Sequence, residues 1–156
     1  MADARDIQVS IRTAEPADLD SLVSLLALLF SIEEDFAFDE LRQRRGLALM
    51  LANERGRVLV AEAEGRVIGM CSGQLLVSTA EGGLSLLVED VVVDEQWRGR
   101  GVGRLLLAAI GGWARANQVS RLQLLADRNN IPALDFYRSL GWLTTELICL
   151  RTFVSR

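Results

Sequence analysis

Residues 98–104 read Arg-Gly-Arg-Gly-Val-Gly-Arg, with Gly99, Gly101 and Gly103 interleaved with Arg98, Arg100, Val102 and Arg104. The run follows a β-branched stretch, Val91-Val92-Val93, and leads into a leucine-rich one. A helix N-terminus presents unpaired N–H groups and about half a positive charge, so it binds anions, phosphates above all. Glycines ahead of it let the backbone approach closely and aim successive N–H groups at one point. Arginines add charge and forked donors. Together these point to a phosphate-bearing ligand, although the loop alone also fits an ordinary turn with solvated arginines. The dinucleotide pattern G-x-G-x-x-G would need Gly or Ala at 104 or 106, which are Arg104 and Leu106. The P-loop pattern would need Gly-Lys-Ser/Thr, and no lysine lies near the loop.

The other reactive side chains are few. With no histidine in the chain, the commonest general base is excluded, and so is any Ser-His or Cys-His nucleophile. Cys71 and Cys149 sit in apolar, strand-like stretches and read as buried structural thiols. Two isolated cysteines make neither a disulfide framework nor a metal cluster, so no metal is expected. Tyr137 is the only tyrosine, and Glu89 and Asp90 are adjacent acids at the end of an apolar run. Adjacent strand residues point to opposite faces, so without a bulge only one of these acids can look into a cleft. Glu89 shares parity with Val91 and Val93. Glu33, Glu34, Asp35, Asp39 and Glu40 form an acidic cluster that could attract a cation, or could be a solvated loop or helix start.

These residues need elements to position them. The segment 7–12 alternates as a first strand, and leucines from Leu19 to Leu29 recur at helical spacing behind Pro16. Residues 39–53 read as a second helix. Residues 57–78 read as a hairpin turning at Glu64-Gly65, with a further turn at 81–83. The segment 84–93 is a strand apolar enough to be covered on both faces. A helix over 101–117 contains Gly111-Gly112, which mark either close packing or a kink. A strand over 121–126 and a short helix over 129–141 follow, and 143–154 supplies one or two closing strands. Strands and helices mixed along the whole length predict one α/β layered domain over 1–156.

Of the 156 residues 50% are hydrophobic and 24% charged, a globular composition. The longest apolar runs fall short of the roughly 20 residues a membrane helix needs, and the N-terminus shows no signal segment. A cytoplasmic protein with no membrane partner is expected. The net charge of −4 argues against nucleic-acid binding.

The segment "RGRGVG" resembles the Q/R-x-x-G-x-G/A signature of the Gcn5-related N-acetyltransferases, the GNAT family. "NNIPALDFYRSLGW" is similar to that family's second motif through Asn130, Ala133, Phe136, Tyr137 and Gly141, with Trp142 where Phe is usual. The likeness extends to "IRTAEPADLDSLVSLL" and "VLVAEAEGRVIGM", and so covers nearly the whole chain. It implies the GNAT fold: a mixed, mostly antiparallel sheet of six to seven strands, splayed at its centre and flanked by about four helices. It also implies an acetyl-CoA site. The diphosphate would be held by main-chain N–H groups from about Arg98 to Arg104, the pantetheine arm would pair with Val91 and Val93, and Asn130 would add a contact.

Acetyl transfer needs a neutral amine, a stabilised oxyanion and a quenched thiolate. A lysine-like ammonium at about 10.4 and a free Glu at about 4.3 differ by about 6 units, or about 8 kcal/mol, so a carboxylate base needs a raised pKa or a water relay. The resemblance makes Glu89 the candidate base and Tyr137 the donor to the leaving thiolate; a water-mediated route without a single base is the alternative. An N–H near Val91 would face the oxyanion. The expected reaction is acetyl transfer to a primary amine of a small molecule. A catalytically silent acetyl-CoA-binding module and a protein or peptide N-acetyltransferase share the same fold. A homodimer through the C-terminal region is the expected assembly, as in many relatives.

Overall fold

A computed structural model describes residues 7–33 and 35–155. Glu34 of the acidic cluster and residues 1–6, from which a signal segment was judged absent, lie outside the described residues. The chain forms two compact units, one ending at Leu124 and one beginning at Leu125.

The first unit holds β1 (Ser10–Thr13), α1 (Leu19–Ile32), α2 (Glu40–Ala52), β2 (Gly56–Ala63), β3 (Arg66–Ser78), β4 (Gly83–Val93), α3 (Val102–Ala116) and β5 (Arg121–Leu124). The sheet runs β1-β2-β3-β4-β5. Its first four strands are antiparallel neighbours, and β5 joins β4 in parallel after the α3 crossover. The β2–β3 reversal uses Glu64 and Gly65 with φ of 52° and 73°, the left-handed pair that a tight hairpin requires. The Asp39 side chain caps α2 by accepting the Arg42 N–H.

Each face of the sheet has its own core. Leu22, Val23, Leu25 and Leu26 of α1 and Leu47 of α2 cluster with Val58, Val60, Met70 and Val92. On the other face Gly69 gives α3 room to approach: a Cβ there would lie 3.3 Å from Leu106 and 3.4 Å from Val102. Cys71 Sγ points the same way, 3.8 Å from the Leu106 carbonyl. Gly111 and Gly112 have nothing within 4 Å of a Cβ position, so close packing does not explain them. Arg12 of β1 joins the sheet to the start of α1, bonding the Asp18 carboxylate at 2.8 and 2.9 Å and Glu62 at 2.6 Å. Asp18 also accepts the Glu15 N–H. The Arg12 contacts hold the Asp18 carboxyl below its ordinary value despite its burial.

The second unit holds α4 (Ile131–Ser139). Asn130 caps it by accepting the Ala133 N–H at 3.2 Å, and Gly141 at φ 90° ends it, with Trp142 N–H returning to the Tyr137 carbonyl. Among the described residues the sheet has five strands, not the expected six or seven, because none of residues 143–155 belongs to a strand. β-propensity becomes a strand only where a neighbour supplies the ladder. As a consequence Cys149 is exposed, and only Cys71 fits the expectation of a buried thiol. Among the described residues no helix is long and apolar enough to cross a membrane.

Candidate active site

β4 and the loop that follows it carry the site of the first unit. The parallel pairing of β4 with β5 runs from Ser85–Arg121 to Val88–Leu124 and then stops. From Glu89 to Val93 the β5 side of β4 has no strand partner among the described residues. Such an edge offers main-chain donors and acceptors to an extended ligand. Val91 and Val93 lie on it.

On its other side β4 carries a bulge. Glu89 pairs with Ser72 and Val92 with Met70, so Asp90 and Val91 together stand opposite Cys71. Asp90 takes the left-handed conformation, with φ 54°. The bulge resets the alternation. Ser72 and Met70 share a face of β3, so Glu89 shares a face with Val92, not with Val91 and Val93. The condition attached to the parity argument for Glu89 is therefore not met.

The bulge also separates the two acids. Glu89 is exposed. Asp90 is half-buried, and its carboxyl is pushed up from 3.8 to about 6. Loss of solvent is the main cause, followed by the negative charges of Glu89 and of Glu33, just after the last turn of α1; a hydrogen bond from Ser72 opposes them. The Ser72 hydroxyl also reaches the Glu89 carbonyl at 3.2 Å. Next to Asp90 the Cys71 thiol is pushed up to about 12, first by burial and then by that carboxylate. Sequence reasoning named Asp90 only as the neighbour of Glu89. A bulge leaves no mark in alternation until the pairing is known, and an acid beside another acid was the only signal.

The glycine loop has the geometry of an anion nest. Asp94 caps a short 3-10 turn, Glu95–Trp97, by accepting the Gln96 N–H, and buried Trp97 anchors it. Gly99 and Gly101 then take φ of 73° and 82°. A Cβ at either position would meet nothing within 4 Å, so the backbone conformation, not space, calls for glycine. Gly101 is the N-cap of α3, whose first N–H groups, on Val102, Gly103 and Arg104, have no acceptor within the helix. Val102 has a buried side chain that pins the helix start, leaving its N–H as the available group. The arginines are partly engaged with the protein: Arg98 Nε donates to the Val93 carbonyl at 3.1 Å, and the Arg100 guanidinium stacks 4.9 Å from the Trp97 ring. Arg104 is exposed. A bound diphosphate fits this cradle.

In the second unit Tyr137 is half-buried, its ring 5.3 Å from Phe136 and 5.8 Å from Trp142. Phe136 of the same motif is also only half-buried. The Asn130 side-chain oxygen serves the cap of α4. Among the described residues no group of three or more His, Cys, Asp or Glu is arranged to hold a metal ion.

The profile of the acetyltransferase (GNAT) family matches residues 20–142. The chain is 31% identical to an aminoglycoside N(6')-acetyltransferase type 1 of Stenotrophomonas maltophilia, over 89% of each chain. It is 28% identical to a glucosamine 6-phosphate N-acetyltransferase of Trypanosoma brucei brucei, over 90% of this chain and 92% of that one. Its fold matches the crystal structure of a possible acetyltransferase from Clostridium difficile 630 with a TM-score of 0.83 at 23% identity, over 95% and 99% of the two chains.

Proposed function

The chain belongs to the GNAT family of acetyl-CoA-dependent N-acetyltransferases, and on that premise we propose that it moves the acetyl group of acetyl-CoA to a primary amine of a small molecule by direct attack. The observation that carries this reading is the continuity of β4: one open edge, one bulged acid and one anion nest follow each other within residues 89–104. N–H groups from about Arg98 to Arg104 hold the diphosphate. Val91 and Val93 pair with the pantetheine arm, and Asn130 contributes a further contact. Acetyl-CoA supplies the activated thioester.

We assign the proton transfer to Asp90, with Glu89 as the charge that tunes it. An Asp near 6 faces an ammonium near 10.4 across a gap of about 4 units, or about 6 kcal/mol, whereas an ordinary Asp faces about 9 kcal/mol. The main-chain N–H at Val91, in the bulge, is suited to donate to the oxyanion. Tyr137 donates a hydrogen bond to the departing sulfur, a role carried by its motif. Glu33, Glu89 and Asp90 give the acceptor side a negative potential, which favours an amine that arrives protonated. The relatives that acetylate an aminoglycoside and an amino sugar support a small-molecule acceptor.

The test is release of free coenzyme A thiol from acetyl-CoA against aminoglycosides, amino sugars, polyamines, amino acids and peptide N-termini. Turnover with a small amine is the expected result. Saturable acetyl-CoA binding with no thiol release from any acceptor would mark a silent binding module. Turnover with peptides alone would mark a protein-modifying enzyme.

A further inference from the structure

Ser72 is a polar residue in an apolar place. It lies inside β3, paired with Val58 of β2 on one side and Glu89 of β4 on the other. Only 3% of it is exposed, and Met70, on the same face of β3, belongs to the α1–α2 core. Apolar or β-branched residues suit such a position. A hydroxyl buried there must be hydrogen-bonded, and its partners show what it does.

The Ser72 hydroxyl has one proton to give and two acceptors in reach. One is the Glu89 main-chain carbonyl at 3.2 Å. The other is the carboxylate of Asp90, the residue that the bulge sets at φ 54°. When Asp90 carries its proton, the carboxyl O–H can donate to Ser72 Oγ while the Ser72 O–H donates to the Glu89 carbonyl. When Asp90 is ionised, Ser72 holds the only proton of the three groups. The charge draws it, because a hydrogen bond to a carboxylate is roughly twice as strong as one to a neutral carbonyl.

We propose, on the reading of Asp90 as the base, that Ser72 is a positioning residue for the reaction: its hydroxyl aims the ionised Asp90 carboxylate, and turns to the Glu89 carbonyl once Asp90 has taken the proton of the amine. The proton passes from the amine nitrogen to a carboxylate oxygen, and Ser72 keeps its own throughout. β3 suits the task because both of its neighbours ladder with it, whereas β4 is irregular at Asp90. The other titratable groups that act on Asp90 or answer to it are Glu89 beside it, Glu33 just after α1 and Cys71 across the bulge. The two glutamates disfavour the charged carboxyl, and Cys71 keeps its proton up to about 12. Of the groups named, Ser72 alone favours the ionised form.

The test compares Ser72→Ala and Ser72→Thr with the wild type. The aspartate carboxyl carbons are followed by isotope-edited NMR against pH, with the Asp90 signal assigned by its loss in Asp90→Asn, and kcat and KM are followed over the same range. Ser72→Ala should raise the Asp90 titration by about one unit and move the ascending limb of the rate profile with it, so that kcat/KM at pH 6 falls about fivefold beyond any loss on the plateau. The plateau kcat should fall about tenfold at unchanged KM for acetyl-CoA, since the carboxylate is no longer aimed. Ser72→Thr keeps the hydroxyl and should restore both. An upward shift is opposite in sign to the loss of a neighbouring negative charge, so it identifies the hydrogen bond. An Asp90 titration that stays in place in Ser72→Ala overturns the proposal and leaves the base assignment standing. A titration that moves while the rate profile does not shows that Asp90 is not the base, and the positioning role falls with it. Should neither variant fold, the wild type decides: the Glu89 carbonyl carbon should shift in step with the Asp90 titration, and a constant signal overturns the proposal.

Discussion

Asp90→Asn removes the charge from the bulge while keeping its shape and one acceptor for Ser72. In the folded protein the carboxyl titrates near 6, against an ordinary value of 3.8. Between those values the folded state holds the proton that the unfolded state has lost, so stability falls as pH rises from about 4 to about 6, and the penalty is complete above 6. At about 1.4 kcal/mol per pH unit, the ceiling on that penalty is about 3 kcal/mol. Because the residue is only half-buried, the expected gain of the variant at pH 7 is about 1–2 kcal/mol, or about 1 M in the urea midpoint. The gain should disappear at pH 4, where the wild-type carboxyl is also neutral. Parallel kinetics should show kcat/KM falling roughly 100-fold or more, with loss of an ascending limb near pH 6 and unchanged coenzyme A affinity. A variant with the same stability difference from wild type at pH 4 and pH 7 refutes the raised carboxyl. A variant with full turnover refutes its role as base.

Glu89→Gln should keep the ascending limb but move it to lower pH, since it removes a neighbouring negative charge; loss of the limb would instead identify Glu89 as the base, read from pH–rate profiles. Tyr137→Phe should lower kcat with little change in acetyl-CoA affinity, and unchanged steady-state turnover would remove it from the mechanism. Gly101→Ala, forced into φ 82°, should cost about 1 kcal/mol of strain and weaken coenzyme A binding roughly tenfold. Gly82→Ala, at φ 65° in the β3–β4 turn, should lose similar stability and leave binding unchanged by calorimetry. Gly111→Ala should raise the thermal midpoint, since an open helical position gains up to about 1 kcal/mol from Ala.

What could be read beforehand was what repeats or needs an unusual backbone. The leucines of α1 declared a helix by their spacing, and Glu64-Gly65 declared a hairpin by their turn chemistry. The glycines announced a loop whose N–H groups could be aimed at one point before a helix, and Gly99 and Gly101 take positive φ there. Sidedness at Glu89 was not readable, because it depends on which residue of β3 stands opposite, and a single inserted residue reverses it. The fate of 143–155 was unreadable for a related reason: its β-branched and apolar residues carry strand propensity, but a strand forms only where a neighbouring strand supplies the ladder, and none of these residues is in one. The roles of the arginines were legible in charge only. The contacts of Arg98 with a carbonyl and of Arg100 with Trp97 depend on the folded loop.

The extra residue in β4 also constrains how this protein can change. Before it, Val88 lies opposite Gly73, on the side of α3; after it, Val92 lies opposite Met70, in the α1–α2 core. One strand therefore serves two interiors, and the switch between them occurs at Asp90. The side chain at position 89 can be exchanged with local effect, and at position 90 Asn is tolerated because it, like Asp, accepts the left-handed backbone there. Deleting either residue would turn Val92 out of its core and shift the start of the loop by one place. The acidic position is thus tied to the reading frame of the fold: it can drift in chemistry through substitution, but it cannot be removed by deletion while the strand keeps both of its cores.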